Sequence, residues 1–517
     1  MIQRSALLPD NLGYLFDVPL RLTPDAPALL QGDRVLTFAQ LHNRCNQAGS
    51  ALLRLGVQPG DRVAMLWQND IGFLESLFGA ARIGAVPVPL NLKQTDEALQ
   101  YVIADSEAKV LIAGGPLAAR AESIARSATR PLHIVVDSAE IPHGAFSYES
   151  LLENEAPDLS RRSTHPDEIC MQPYTSGSTG RPKGVLLTHA GQIWNADAMR
   201  KSMMLDDTER ALVAVPLFHK NAMLGAIKPF LLAGGSAVIL PGFDAKEVIY
   251  AIERYRITYL TGVPAMYKMI LAERELLGAH DVSSIRYAKC GSAEVPQELL
   301  DDFARVFKAP IDESYGLTEG GPVPIVNVRW GLKKRGSCGR EMPGCEVRLV
   351  AEDGLTEVPV NEPGELITRN PGLAKGYWKL PEVTAEKFRG GWLYTGDLLR
   401  RDEDGYYYFL GRRDDVINVA GEKVHPKEVE DILLRHPGVR DACVVPVRHD
   451  VKGFVPVAFV TKRPGSRTTE EEIKSFFLSQ GAPYAHPRRV FFLGMLPLNG
   501  AGKLDRTAMR AMAEKAA

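Results

Sequence analysis

The sequence predicts an α/β protein: a large N-terminal domain of parallel α/β layers plus a β-rich subdomain, then a small α+β C-terminal domain. Three observations carry that reading. Short apolar strands alternate with amphipathic helices over 28–114 and again from about 170 to 320, the pattern of parallel α/β layers. Beyond Gly336 the texture changes to short strands broken by Gly and Pro, up to about Gly411. After LGRRDDVINVAGEKVHP comes a stretch of roughly a hundred residues with its own helices and strands, the size of an independent domain. At 517 residues the chain exceeds one ordinary core. The expected domains are 1–413 and 414–517.

Taken in order, Thr37 is placed to N-cap a helix over 38–55, whose apolar positions recur at helical spacing. Gly60-Asp61 breaks the chain before a strand over 62–66, followed by a helix over 71–83, an extended run over 86–90 and a buried strand over 110–113. Residues 115–165 are more polar and read as an irregular surface link. In the second layer, strands are expected over 211–215, 236–240 and 257–261, and helices over 222–232 and 245–255. The β-rich part holds strands over 345–350 and 364–368. The last unit reads as a helix over 427–435, strands over 441–447 and 455–461, a helix over 469–479 and a strand over 489–493.

Composition excludes several functions. The net charge of −2 leaves no electrostatic footprint for nucleic acid. No window approaches the roughly 18 uninterrupted apolar residues of a membrane span, and MIQRSALLPDNLGYLFD lacks the apolar core of a signal peptide. The six cysteines are scattered with no C-x-x-C pair, and read as reduced thiols of a cytoplasmic protein.

The stretch richest in chemistry is YTSGSTGRPKGV, 174–185. Gly177 and Gly180 let the backbone turn and approach a ligand. The hydroxyls of Thr175, Ser176, Ser178 and Thr179 add donors, and Lys183 adds a cation, a combination suited to polyphosphate. A kinase-type phosphate loop would run from its second glycine into Lys and Ser or Thr at the start of a helix. Here Gly180 is followed by Arg-Pro-Lys-Gly, and Pro182 pushes Arg181 out of the helical region. The loop is therefore expected to stay extended.

Further motifs follow in order: SYGLTE at 314–319, YTGD at 394–397, GRRDDVINVAGEKV at 411–424 and PLNGAGK at 497–503. With the first stretch they make the chain resemble the adenylate-forming superfamily, and within it the acyl-CoA synthetases, over essentially its whole length. That resemblance implies ATP-dependent ligation of a carboxylic acid to CoA through an acyl-adenylate, with AMP and pyrophosphate released. It also implies a hinge between the two domains.

The resemblance assigns roles by position. Thr175, Ser176, Gly177, Ser178, Thr179, Gly180 and Lys183 hold the β- and γ-phosphates. Glu319, beside Thr318, holds Mg²⁺ with Thr175, a hard oxygen site suited to that ion. Tyr315, with Gly316 and the backbone at Gly291, Ser292 and Ala293, takes the adenine side. Asp397, an acceptor-only carboxylate able to take both ribose hydroxyls, is joined by Arg412. Lys503 reaches the acid and the α-phosphate, so that the catalytic set is Lys503, His219, Thr175 and Glu319. His219 in PLFHK matches a gate near the acyl and thiol paths. The acyl pocket is expected from His219, Lys220, Met223, Val263, Gly291 and Leu317, with Asn221 and Lys228 as further polar lining. Lys220 departs from the general pattern, which asks for no cation there. Asp414 matches the hinge, and Gly421, Glu422 and Lys423 the segment that serves the second half-reaction.

ATP, Mg²⁺ and CoA are thus the expected cofactor and co-substrates, and a small carboxylic acid the partner. A homodimer is entertained, although the sequence is silent on oligomeric state. A free-standing enzyme that loads a carrier protein is the alternative. The stretch FHKNAM lacks the aspartate that amino-acid-activating relatives use, and only fourteen residues follow Lys503, too few for a fused carrier.

Overall fold

The computed structural model describes residues 8–516 except 127, 129, 177–180, 292–294, 322, 420, 450–452 and 499–503, and leaves out the side chain of Ser176. The chain divides into two compact units, residues 1–347 with 368–393, and residues 348–367 with 394–517.

The first unit contains two sheets whose central strands, such as Val110–Gly114 and Ser236–Ile239, are buried, near-continuous apolar runs, as strands covered on both faces must be. One is five-stranded and wholly parallel, in the order Val86–Pro89, Arg62–Leu66, Val110–Gly114, His133–Asp137, Phe146–Ser147. The other has nine strands. Its parallel centre runs Ile311–Tyr315, Tyr287–Cys290, Tyr259–Gly262, Arg210–Val213, Ser236–Ile239, Pro27–Gln31, and antiparallel strands close both edges. The predicted parallel layers are both present. Helices sit where their caps place them. Thr37 closes a capping box with Gln40 at the head of Phe38–Arg54, and the Asp70 side chain caps Ile71–Arg82.

Two local expectations need correction. Residues 115–165 are not an irregular link, for they carry the helices Ala118–Ala125 and Tyr148–Glu153 and the strands His133–Asp137 and Phe146–Ser147. Only two residues of His133–Asp137 are buried, so its polar ends hide a sheet strand. The helix expected over 222–232 is three pieces: Lys220–Ala222, a π turn over Met223–Ile227, and Lys228–Ala233, closed by Gly234 at φ +88°. The widened turn brings Gly225 so close to the sheet that an added Cβ would lie 3.2 Å from Asn221 Oδ1 and 3.4 Å from Thr261 Oγ1. Such single π turns recur at functional sites, and a 3.6-residue period does not reveal them.

In the second unit, residues 394–401 and 407–412 pair antiparallel with Asp397 opposite Arg412. A 3₁₀ turn, Arg413–Asp415, leads to a second sheet in the order Glu422–Val424, Ile417–Val419, Gly453–Lys462, Val439–His449, with Val490–Phe492 parallel to Gly453–Lys462. Alternate residues of this sheet serve two cores. Val444, Ala458 and Val460 pack with Val429, Leu433, Ile473 and Phe477. Cys443, Val445 and Phe459 pack with Met509 and Ala513 of Arg506–Lys515. The compact division thus begins before the expected 413/414 boundary: residues 348–367 and 394–413 group with the C-terminal sequence, although their strands form a sheet separate from that of residues 417–492. The boundary residues themselves fall in the 3₁₀ turn. No helix among the described residues is long and apolar enough to cross a membrane.

Candidate active site

The first-unit residues converge around a hairpin. Tyr174–Ser176 pairs antiparallel with Pro182–Gly184, which sets Lys183 opposite Thr175. The flanks of the glycine-rich loop are extended, as Pro182 requires, while Gly177, Ser178, Thr179 and Gly180 lie outside the described residues. Tyr174 pins the hairpin by donating to Asp105 Oδ2 at 2.6 Å. Burial and that carboxylate hold its phenol well above the usual tyrosine range. Beyond the hairpin, Val185 bridges to Tyr377, the Leu186 N–H donates to Gly376 O at 3.0 Å, and the Lys375 N–H donates to Leu186 O at 2.9 Å.

This pairing adds Tyr377 to the expected meeting of Thr175 and Glu319. The Thr175 hydroxyl and the Tyr377 hydroxyl each donate to Glu319 Oε1 at 3.2 Å, and Lys183 Nζ lies 5.8 Å from the Tyr377 ring centroid. Glu319 sits in the 3₁₀ turn Thr318–Gly320, whose backbone is tied by Ala374 N–H to Glu319 O and Asn370 Nδ2 to Gly320 O, both at 3.0 Å. Gly321 at φ +93° leaves room for Asn370 Oδ1 where a Cβ would be only 2.2 Å away. Glu319 makes no ion pair among the described residues. Its carboxylate, with one oxygen taking two hydroxyl donors, fits a hard cation that keeps waters and binds phosphate. No cluster of three or more acidic, His or Cys side chains among the described residues offers an all-protein cage instead.

Next to the cluster lie the carboxyl ends of three adjacent parallel strands, the usual ligand edge of an open α/β sheet. Gly262, Gly291 and Gly316 stand at those ends, and the Gly291 N–H donates to Gly262 O at 3.4 Å. Tyr315 is buried as the last residue of its strand, with Leu317 following; Ser292 and Ala293 lie outside the described residues. The helix start over Lys220–Ala222 approaches the same edge. His219 caps it, its Nδ1 accepting the Asn221 N–H at 3.3 Å, which puts the proton of the neutral ring on Nε2. Lys220 Nζ donates to Gly316 O at 2.5 Å, so this lysine is held at the strand end rather than solvated. Asn221 Oδ1 accepts from Thr261 Oγ1 at 2.6 Å. Met223 is buried in the π turn, and Val263 precedes the helix Pro264–Ala272.

Lys228 does not line the pocket as expected. It is buried against Gln192 Oε1 at 2.6 Å, and burial pushes its ammonium down to about 7. All six cysteines are free and five are buried. Burial pushes Cys45, Cys170, Cys345 and Cys443 up to about 12, which makes them poor nucleophiles.

In the second unit every residue of the YTGD motif has a tether. The Tyr394 hydroxyl donates to Gly354 O at 2.9 Å and the Thr395 hydroxyl to Leu366 O at 2.7 Å. The Gly396 N–H donates to Glu365 Oε1 at 2.9 Å, and Asp397 Oδ1 meets Arg412 Nε at 3.1 Å. Asp414 lies in the turn after Arg413, whose guanidinium donates to Glu365 Oε2 at 2.7 Å. Gly421, at φ +98°, donates its N–H to Asn418 Oδ1 at 2.8 Å, and Glu422 and Lys423 form the following strand, with Lys423 contacting Glu352. Lys503 lies outside the described residues. Sequence reasoning missed Tyr377 and Glu365. Each lies outside the five ordered motifs, so no local pattern singles it out.

Residues 16–378 match the model of the AMP-binding enzyme family, and residues 428–503 that of the AMP-binding enzyme C-terminal domain. A feruloyl-CoA synthase of Amycolatopsis sp. is 38% identical over 491 residues, 95% of this chain and 96% of that protein. A 4-coumarate–CoA ligase of Oryza sativa subsp. japonica is 33% identical, covering 94% of this chain and 90% of its own. The anthranilate CoA ligase AuaEII, solved in complex with anthranoyl-AMP, superimposes with a TM-score of 0.90 at 30% identity, over 99% of both chains. ATP-bound MatB from Rhodopseudomonas palustris does so with a TM-score of 0.90 at 28% identity, over 98% of this chain and 99% of that one. With both family models matched in order and relatives aligned end to end, the chain belongs to the AMP-binding enzyme family.

Proposed function

We propose that this acid–CoA ligase activates an aryl carboxylic acid as its adenylate and transfers the acyl group to CoA. The observation that carries the reading is the meeting of Thr175, Lys183 and Glu319 on one hairpin and turn. A carboxylate attacking a phosphate faces like-charge repulsion, and this is where the chain gathers the groups that relieve it. Support for the acid class comes from relatives named for feruloyl, 4-coumarate and anthranilate substrates.

In the first half-reaction the acid carboxylate attacks the α-phosphorus of ATP, an acyl–phosphate bond forms, and pyrophosphate leaves. Thr175, Ser176, Ser178, Thr179 and Lys183 hold the leaving phosphates by hydrogen bonds and charge. Glu319 and Thr175 would hold Mg²⁺, which when bound supplies charge neutralisation on the phosphate oxygens. Tyr315, Gly316, Thr318 and the Gly291 strand end orient the adenine side; Asp397 and Arg412 orient the ribose. Lys503 steadies the charge shared between carboxylate and α-phosphate. In the second half-reaction the CoA thiol attacks the acyl carbon, a thioester forms and AMP leaves. The domain pivots at Asp414 so that Gly421, Glu422 and Lys423 replace Lys503, while His219 lines the thiol's approach. A cytoplasmic setting accords with six free cysteines.

The test is product identity across a panel of acids. AMP and pyrophosphate should appear with an aryl acid and CoA present, with cinnamic and benzoic acids preferred over aliphatic acids of similar length. ADP and phosphate as products would overturn the reaction, and an aliphatic preference would overturn the substrate class.

A further inference from the structure

The geometry points to Glu365 as a positioning residue that sets the ribose carboxylate Asp397 and anchors the pivot at Asp414 through one buried carboxylate. Its side chain is 5% exposed, and its two oxygens serve different segments. Oε1 accepts the Gly396 N–H at 2.9 Å and Oε2 accepts Arg413 Nη1 at 2.7 Å. Gly396, at φ +74°, occupies the left-handed region that favours glycine, and the bond to Glu365 fixes that turn immediately before Asp397. Arg413 immediately precedes Asp414, and Arg412 is the partner of Asp397 at 3.1 Å. A single carboxylate therefore holds the Gly396 backbone before Asp397 and the Arg413 side chain after Arg412.

Charge makes this tie hard to release. The carboxylate is buried while the Arg413 guanidinium is half exposed. A buried carboxylate without its cation is unfavourable, which favours Arg413 staying on Glu365 while the chain beyond it moves. Pairing with residues 394–401 ends at Arg412, and the next strand begins at Ile417. Between these fixed points only the 3₁₀ turn Arg413–Asp415 and Val416 are left, and the side chain of its first residue is tied to Glu365. Rotation is thereby confined to begin at Asp414. The same carboxylate makes ribose grip and pivot sense one another.

This inference rests on the assignment of Asp397 to the ribose, so Asp397→Ala is measured beside the variants that test it. Glu365→Gln keeps the shape and removes the charge. It should raise KM for ATP about tenfold, leave KM for the acid within twofold, and change the ratio of the two single-turnover half-reaction rates at least threefold. Arg413→Gln should act in the same direction and add nothing to Glu365→Gln, whereas Arg413→Lys should restore near-native values. If Glu365→Gln does not fold, the two Arg413 variants decide alone. An unchanged KM for ATP with an unchanged rate ratio overturns the inference. So does a parallel rise in both KM values with a lowered Tm, the mark of a purely structural tie. A normal KM for ATP in Asp397→Ala overturns the ribose assignment itself, while a raised value there with none in Glu365→Gln overturns only the positioning role.

Discussion

The Glu319 turn and the Asp397 strand carry the two carboxylates proposed to meet the nucleotide, yet they are built on opposite electrostatic plans. Glu319 is held by two neutral hydroxyls and has no ion pair among the described residues. Asp397 already meets Arg412, and behind it Glu365 already meets Arg413. The first site leaves its charge for the ligand to satisfy; the second comes with its charges balanced and serves as a shaped grip. Removing charge should therefore affect chemistry at the first and affinity at the second.

The largest effect is expected where the charge is unspent. Glu319→Gln preserves volume and still accepts from Thr175 and Tyr377, so folding should be nearly untouched, with Tm within about 2 °C of native. On the proposed function the anionic hold on Mg²⁺, the cation that would neutralise the phosphates, is lost, and losing one stabiliser of transition-state charge costs about 10²–10³ in rate. Single-turnover adenylation should fall by that factor. A rate within threefold of native would erase the contrast between the two sites.

Asp397→Ala should be milder and of a different kind. A hydrogen bond involving a charged group contributes about 1.5–3 kcal/mol, which is about 10- to 100-fold in KM for ATP. The kcat at saturating ATP should fall far less. A kcat loss as large as that of Glu319→Gln, with KM unchanged, would show that the second site takes part in chemistry and not only in binding.

How much of this could be read from the sequence follows the same divide between local and long-range cause. Thr37 announced its N-cap, the strand over 62–66 appeared at its expected bounds, and Pro182 announced an extended hairpin flank. These depend on neighbours a few residues away. Tyr377 reaches Glu319 only because Val185 pairs with it, and Glu365 matters only because residues 394–412 fold back beside it. No local pattern encodes such meetings. The π turn at Met223–Ile227 escaped because its apolar content fits an ordinary helix equally well, and the proximity of Gly225 to Asn221 and Thr261 is set by tertiary packing. Lys228 misled for a related reason: a lysine on an apolar helix reads as polar lining, and only tertiary packing shows it turned to Gln192.

The smallest expected effect belongs to Lys220, and it sharpens the comparison because this cation stands beside the first site without joining its chemistry. Its ammonium donates to Gly316 O at 2.5 Å, between the buried Tyr315, proposed for the adenine side, and Leu317, proposed for the acyl side. It is anchored on the first turn behind His219, so it works as a strut between the helix start and the strand end. Lys220→Met removes the strut while keeping the hydrocarbon stem. The side chain is only half-buried, so the bond should contribute near the low end for a hydrogen bond, about 0.7 kcal/mol, or about threefold. Because one carbonyl stands between the nucleotide and acyl sides, KM for ATP and KM for the acid should rise together by that factor, with the order of preferred acids unchanged. A rise confined to acids with polar ring substituents would instead make Lys220 a reader of the substrate. That outcome would place a charged specificity element at the acyl edge of a site whose other charges serve phosphate.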